Sequence, residues 1–169
     1  MFKTGDHVVY GTNGVCEISD IQTRKVGDRE TDYYVLRPVY NGNTTLYVPA
    51  SNEKLVAKMK EMLTKEEVIA LIRSIPSKEC VWIENESERK EAYRSIVASG
   101  DRTELIRLIK TLHLHRANQL EVGKKLHISD EKLLTEAEKI LHEEFAYVLD
   151  IDRECIVKYI LEEKDKGAV

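Results

Sequence analysis

The fold of the first half of this chain is decided by the stretch Phe2-Lys3-Thr4-Gly5-Asp6-His7-Val8-Val9-Tyr10, which leads into Gly11-Thr12-Asn13-Gly14. The apolar run from His7 to Tyr10 has the length and composition of one short β-strand. Asn13 and Gly14 tolerate the positive φ that a tight turn needs, so the chain can reverse direction there. The first fourteen residues therefore predict a strand followed by a tight reversal.

Three further strand-like segments follow this reversal, at residues 15–21, 33–36 and 44–49. They are separated by turn signals at Gly27-Asp28 and at Asn41-Gly42-Asn43. Short strands with a turn between each pair are typical of a small antiparallel sheet. We expect residues 1–54 to form a strongly bent antiparallel sheet or barrel.

Helical spacing replaces strand spacing from Thr64 onward. Thr64 and Glu67 have the spacing of a capping box, in which each side chain accepts a hydrogen bond from a free backbone N–H at the start of a helix. This first helix should end near Ile75, because Pro76 follows it.

Four more helices are expected after the first. One spans residues 85–98, and the segment Ser99-Gly100-Asp101 separates it from the next, since Gly suits a helix C-terminus and Asp an N-cap. Another begins at residues 129–131, and Asp152 should cap the last. The predicted architecture is an α+β fold, with a small β domain at residues 1–54 and an all-α bundle of about five helices at residues 55–169.

Composition excludes several classes of protein. The chain has 169 residues and three cysteines, Cys16, Cys80 and Cys155, which are odd in number and form no CxxC. We interpret them as reduced thiols. The sequence contains no run of about 18 apolar residues and no signal peptide at its N-terminus, so a cytoplasmic protein is expected.

No catalytic or metal-binding pattern is visible. The sequence lacks a Gly-rich phosphate loop, GxSxG and HExxH. His113 and His115 are two residues apart, so on a helix they point to different sides and cannot share a metal ion. We expect neither an enzyme nor a bound metal or cofactor.

Charge is distributed unevenly along the chain. The net charge is −4, which argues against tight autonomous binding of nucleic acid. Residues 89–125, however, contain nine basic and four acidic residues, a net charge of +5 that leaves −9 for the remainder. Two interpretations are open: a solvated helix face, or a surface whose lysines and arginines position a phosphate backbone.

Trp82 is the single tryptophan, and it precedes the second predicted helix. Its position is compatible with a core anchor that holds this connection against the bundle. It is also compatible with an exposed aromatic that stacks on unpaired or distorted DNA, because every base offers a π face. The sequence leaves both interpretations of Trp82 open.

Taken together, these segments resemble the CarD family of bacterial transcription regulators, and the resemblance extends over nearly the whole chain. The matching features of the first half are residues 2–10, Gly14-Val15, residues 33–36 and Val48-Pro49. Those of the second half are Arg89, residues 98–101, Asp130-Glu131, Ala137 and Glu144.

The resemblance implies a mechanism in two parts. The N-terminal domain is expected to be Tudor-like, similar to the polymerase-interacting module of the transcription-repair coupling factor, and to add a strand edge to the β subunit of RNA polymerase. The helical domain is expected to contact promoter DNA at the upstream edge of the melted bubble, where a tryptophan opposes reannealing. The implied polymerase-binding residues are Thr44, Thr45, Leu46, Tyr47 and Val48. The implied DNA-binding residues are Trp82, Arg89, Lys90, Arg94, Arg102, Lys124 and Lys125.

Two departures from the family pattern affect these site residues. Many members have a basic residue at the position of Tyr47. The family tryptophan precedes the matching arginine by three residues, whereas Trp82 precedes Arg89 by seven and Glu86 occupies the matching position. A second function therefore stays open, in which the chain binds polymerase and recruits a partner through its helices without contacting DNA.

Overall fold

The computed structural model describes residues 1–167, which divide between two compact units. The sheet unit comprises Met1–Leu63, and the helical unit begins at Thr64. The predicted α+β fold is confirmed. The boundary lies nine residues later than the predicted one after residue 54, and residues 168–169 of the predicted helical domain lie outside the described part of the chain.

The sheet unit contains five antiparallel strands in the order β4-β3-β2-β1-β5. Their bounds are β1 His7–Tyr10, β2 Val15–Val26, β3 Arg29–Pro38, β4 Leu46–Pro49 and β5 Met59–Glu61. A single helical turn, α1 (Glu53–Val56), separates β4 from β5. Sequence patterns identified four of the strands and missed the fifth.

The fifth strand explains why the unit boundary moved. β5 has three residues, too few to show alternation, yet it pairs with β1 through Val8↔Glu61, Val9↔Lys60 and Tyr10↔Met59. Residues 59–61, which we assigned to the helical domain, are therefore part of the sheet.

Two local features bend the sheet. Gly14 has φ 71° and ψ −147°, a conformation that only glycine adopts without strain, and it follows a 3₁₀ turn at Gly11–Asn13. The register between β2 and β3 shifts between Ile18 and Asp20, and the Ser19 hydroxyl donates a hydrogen bond to the carbonyl of Val35 at 3.2 Å. A bulge of this kind increases local twist and bending. Val8, Cys16, Ile18, Leu36 and Val48 are fully buried and form one cluster on a single face of the sheet.

The helical unit contains five α-helices within its described residues, as predicted. Their bounds are α2 Lys65–Arg73, α3 Glu86–Ser99, α4 Arg102–Glu121, α5 Ile128–Leu149 and α6 Ile156–Gly167. Fully or almost fully buried apolar side chains from α2, α4, α5 and α6 form its core: Ile72, Leu105, Leu112, Leu134, Phe145 and Ile156.

Most of the predicted helix ends are confirmed. The Thr64 hydroxyl accepts from the Glu67 N–H at 3.2 Å, and the Glu67 carboxylate accepts from the Thr64 N–H at 2.8 Å. Gly100 adopts φ 64° at the end of α3, and the Asp101 carboxylate accepts from the Glu104 N–H at 3.0 Å at the start of α4.

One predicted start is wrong. Asp152 precedes a 3₁₀ turn, Arg153–Cys155, and its side chain makes no capping hydrogen bond. The predicted start of α5 at residues 129–131 is confirmed to within one residue, since α5 begins at Ile128 after the cap His127. Asp130, in its first turn, is buried and pairs with Arg89 of α3.

Candidate functional site

The loop that carries Trp82 is held firmly although it has no regular structure. It connects a 3₁₀ turn at Ile75–Ser77 to α3. The N–H of Val81 donates to the Thr111 hydroxyl of α4 at 3.1 Å, and the carbonyl of Val81 accepts from the Tyr93 hydroxyl of α3 at 2.8 Å. Burial raises the pKa of Tyr93, so its phenol keeps the proton that it donates here. Both backbone groups of the residue before Trp82 are thus fixed by neighbouring helices.

Arg89 fixes the other side of this loop. Its Nη1 donates to the carbonyls of Ile83 at 3.1 Å and Glu84 at 3.2 Å. Its Nε and Nη2 each donate to the carboxylate of Asp130 on α5 at 3.0 Å, in a bidentate ion pair whose side chains are 7% and 1% exposed. One guanidinium therefore joins α3, α5 and the Trp82 loop.

Trp82 is neither a core residue nor a free side chain. It is partly buried, and its ring stacks on the His115 imidazole with centroids 3.5 Å apart and planes inclined by 13°. The guanidinium carbon of Arg89 lies 4.5 Å from the centroid of the same ring, a cation–π contact. Trp82 precedes Arg89 by seven residues, and the loop before α3 folds back so that the two side chains are in contact.

The uncovered part of Trp82 lines a polar cleft of about 300 Å³, hereafter the Trp82 cleft. The cleft is also bordered by Glu84 and by the Arg89–Asp130 pair. Its remaining walls are aromatic, amide or basic: Trp82, His115, Gln119, Lys124, Lys125 and His127. Such an arrangement can bind a phosphate through its lysines and offer a π face to a base.

Folding neutralises most of the basic segment. Five of its nine basic residues form ion pairs: Arg89–Asp130, Lys90–Glu86, Arg102–Glu144, Arg107–Glu104 and Arg116–Glu131. Lys110 donates to three backbone carbonyls. Several of the partners lie outside residues 89–125, so the excess charge of that segment is largely cancelled in three dimensions.

Two of the residues expected to contact DNA also have structural roles. Arg89 is 6% exposed and pairs with Asp130, and Arg102 pairs with the buried Glu144 at 2.8 and 2.6 Å. Each guanidinium already neutralises a buried carboxylate, and the DNA contact of these two arginines stays a prediction.

The other predicted DNA-binding residues differ in position. Lys124 and Lys125 are exposed, make no ion pair within the described residues and line the Trp82 cleft. Arg94 is exposed and Lys90 is partly exposed, but neither lines the cleft. The structure therefore brings together Trp82, Arg89, Lys124 and Lys125 from the predicted set.

Sequence reasoning missed five residues of the cleft, namely Glu84, His115, Gln119, His127 and Asp130. His115 and Gln119 are four residues apart on α4, and Gln119 Nε2 lies 3.0 Å from His115 Nε2. That spacing puts both side chains on one helix face, a signal that was visible in the sequence. Nothing in the sequence indicated that Trp82 would stack on this face.

The second candidate site is the outer edge of the sheet at β4. The Ala50 N–H donates to the Asp32 carbonyl at 2.8 Å, and the register pairs Val48 with Tyr34 and Tyr47 with Val35. In an antiparallel pair, hydrogen-bonded and non-hydrogen-bonded positions alternate. Val48 therefore bonds to β3, whereas Tyr47 directs its N–H and carbonyl away from the sheet.

The β4 edge is shorter than predicted, but its residues suit the addition of a strand from a partner. β4 begins at Leu46, because the Thr44 N–H donates to the Asn41 carbonyl at 3.2 Å and closes a turn. Thr45 and Tyr47 are exposed, and Val48 is buried, so alternation continues along the segment. Pro49 falls at an outward position, where its lack of an N–H costs no sheet hydrogen bond. The Arg24 guanidinium lies 4.2 Å from the centroid of the Tyr47 ring and adds positive charge beside the edge.

Other kinds of site are not seen in the described residues. Within residues 1–167, no group of three or more His, Cys, Asp or Glu side chains could hold a metal ion. In the same range, none of the helices combines the length and apolar character that crossing a membrane would need.

The fold defines a two-domain α+β protein, in which a small β domain of five antiparallel strands is followed by an all-α domain. Residues 2–60 match the CarD-like/TRCF RID domain, and residues 67–161 match the CarD C-terminal domain. These are domains of non-enzymatic transcription factors that interact with RNA polymerase, and the RID domain is Tudor-like. The chain belongs to the CarD family.

The buried ion pair should dominate the stability of the helical unit. Asp130→Ala leaves the Arg89 guanidinium buried without a counter-charge, and we expect it to lower the free energy of unfolding by about 3–5 kcal/mol. Lys90→Ala removes an exposed pair from the same helix and should cost no more than about 0.5 kcal/mol. Urea titration followed by helical circular dichroism measures both values. Equal losses would contradict the role assigned to the pair.

The stacked histidine should control the exposure of Trp82. We expect His115→Ala to shift tryptophan emission to longer wavelength and to increase quenching by acrylamide, because one aromatic neighbour of the ring is removed. Trp82 is the only tryptophan, so the signal is unambiguous. The control is His113→Ala on the same helix, where the imidazole contacts Glu138 instead. An unchanged spectrum in His115→Ala would show that the stack does not cover the ring in solution.

Proposed function

We propose that this protein docks on the β subunit of RNA polymerase through the β4 edge and stabilises the open promoter complex through the Trp82 cleft. The open complex would be held by contacts to DNA at the upstream edge of the bubble. The observation that carries the proposal is the position of Trp82, partly exposed in a cleft beside Lys124 and Lys125, which form no ion pair among the described residues.

The β4 edge supports the polymerase contact. An exposed edge strand can accept a strand from a partner, because its outward backbone groups lack hydrogen-bond partners in the sheet. Tyr47 provides one outward N–H and carbonyl, and Thr45 precedes it by two residues on the exposed side. Arg24 over the Tyr47 ring supplies positive charge where many family members have a basic residue.

The anchoring of the Trp82 loop supports the DNA contact. Val81, Ile83 and Glu84 all have backbone groups held by side chains of α3 or α4, so the ring is presented in one orientation. A side chain held in its binding geometry loses little conformational entropy on binding. A preorganised aromatic beside two lysines is suited to distorted DNA, where stacking contributes about 1–3 kcal/mol per base.

Weak DNA affinity is sufficient for this mechanism. A net charge of −4 disfavours binding to free DNA. Once the sheet unit is docked on polymerase, promoter DNA is present at a high effective concentration. About 1.4 kcal/mol of preferential binding changes the ratio of open to closed complex roughly tenfold.

A second function is favoured by a different observation. Five of the nine basic residues between 89 and 125 are neutralised by ion pairs, and Trp82 is already stacked on His115. A chain with this surface could bind polymerase and recruit another protein through its helices without contacting DNA. The two functions differ in what the Trp82 cleft does, and a promoter assay separates them.

The polymerase contact is tested with Thr45→Pro in the full chain. Proline at this position removes an N–H that lies outside the β3–β4 pairing, so we expect the fold to persist and affinity for the β-lobe fragment of a bacterial RNA polymerase to fall at least about tenfold. Thr45→Ala keeps the N–H and should bind normally. Comparable loss in both variants would point to the side chain and exclude strand addition, and normal binding by Thr45→Pro would remove β4 from the interface.

The DNA contact is tested by the lifetime of polymerase–promoter open complexes. Trp82→Ala should shorten that lifetime about fivefold or more, which corresponds to about 1 kcal/mol of lost stacking. Lys124→Ala combined with Lys125→Ala should also shorten it and should reduce its dependence on salt. The matched control is Lys132→Ala combined with Lys139→Ala, two exposed lysines of α5 that do not line the cleft. Unchanged lifetimes in the cleft variants, with polymerase binding intact, would favour the second function, in which the chain recruits another protein without contacting DNA.

A further inference from the structure

A second cavity of the helical unit has a different chemistry from the Trp82 cleft. It is an apolar groove of about 560 Å³ between α4, α5 and α6, hereafter the α4–α6 groove. Its walls are formed mainly by Ile106, Ile109, Leu141, Phe145, Val157 and Ile160. The promoter contact proposed above does not use any of these residues.

The groove is deep. Ile106, Leu141 and Phe145 are at most 3% exposed, so its floor belongs to the core of the helical unit. Leu114, Val157 and Leu161 at its margins are about half exposed, at 52%, 50% and 50%. Apolar side chains that extend from the core to the surface in this way are typical of a site that takes an apolar ligand.

The charge at the groove is positive. Lys110 and Lys164 border it, and Lys164 is partly buried with no ion pair among the described residues. The one carboxylate, Glu138, contacts His113, and the hydrogen bond from that imidazole lowers the pKa of Glu138. Burial lowers the pKa of His142, so this second imidazole is uncharged near neutral pH. An anionic group is therefore favoured near Lys164.

The dimensions favour a small molecule over a protein helix. An α-helix with its side chains is about 10–12 Å wide, so this volume would take roughly a single helical turn. The same volume lies well within the range of about 300–1,000 Å³ that small-molecule sites occupy.

We propose that the α4–α6 groove binds a small amphipathic acid, with its hydrocarbon chain between α4, α5 and α6 and its carboxylate at Lys164. The ligand chemistry follows from an apolar floor, a cationic margin and a volume in the range of small-molecule sites. The site is separate from the proposed polymerase and DNA contacts and would operate whether or not those contacts form.

Two cysteines provide an internal test. Cys80 is exposed and lines the groove, whereas Cys155 is exposed outside it. Dodecanoate, below the concentration at which it forms micelles, serves as the probe, and iodoacetamide alkylation of the full chain is followed by mass spectrometry of each cysteine. At ten times its dissociation constant, dodecanoate should slow alkylation of Cys80 about tenfold, by mass action, and leave Cys155 unchanged.

Charge variants and a neutral analogue test the carboxylate. Lys164→Glu should abolish most of the protection of Cys80, while Lys158→Glu, the same change at an exposed position of α6 outside the groove, should preserve it. Dodecan-1-ol should protect Cys80 less well than dodecanoate. The proposal is overturned if Cys80 and Cys155 are affected equally or not at all, if the alcohol protects as well as the acid, or if Lys164→Glu protects normally. Neither polymerase nor DNA is present, so these outcomes do not depend on the proposed transcriptional role.

Discussion

The arrangement of the helical unit depends on the buried ion pair between Arg89 and Asp130. Two charges with side chains 7% and 1% exposed are stable only when every donor and acceptor is satisfied. Asp130 accepts from two nitrogens of Arg89, and the third nitrogen donates to the carbonyls of the Trp82 loop. The need to satisfy one guanidinium thus sets both the packing of α3 on α5 and the path of the loop before α3.

The need to neutralise buried carboxylates also decides which basic residues stay at the surface. Arg89 and Arg102 lie within a segment that is strongly basic in sequence, yet each neutralises a buried carboxylate of α5. Among the described residues of that segment, Arg94, Lys124 and Lys125 remain exposed without an ion pair, and the two lysines line the cleft beside Trp82. A small number of exposed cations is consistent with a factor whose affinity for DNA is supplied largely by its attachment to polymerase.

Each unit offers one preorganised surface for the role proposed here. In the sheet unit, the pairing of β4 with β3 fixes which backbone groups face outward, and Tyr47 is among them. In the helical unit, Thr111, Tyr93 and Arg89 fix the loop that presents Trp82. The α4–α6 groove adds a third surface of different chemistry, since its floor is apolar and its margin carries Lys164.

The sequence alone determined the α+β class, four of the five strands, the five main helices and the family, because these depend on local periodicity, turn residues and caps. It also placed Trp82, Lys124 and Lys125 among the candidate residues. It did not reveal β5, which is too short to show a pattern and exists only because β1 offers it an edge. Nor did it show that Arg89 and Arg102 form ion pairs with Asp130 and Glu144, since those partners lie 41 and 42 residues away in the sequence. Charge neutralisation and aromatic stacking act between residues that are close in space, and only the tertiary structure decides which residues those are.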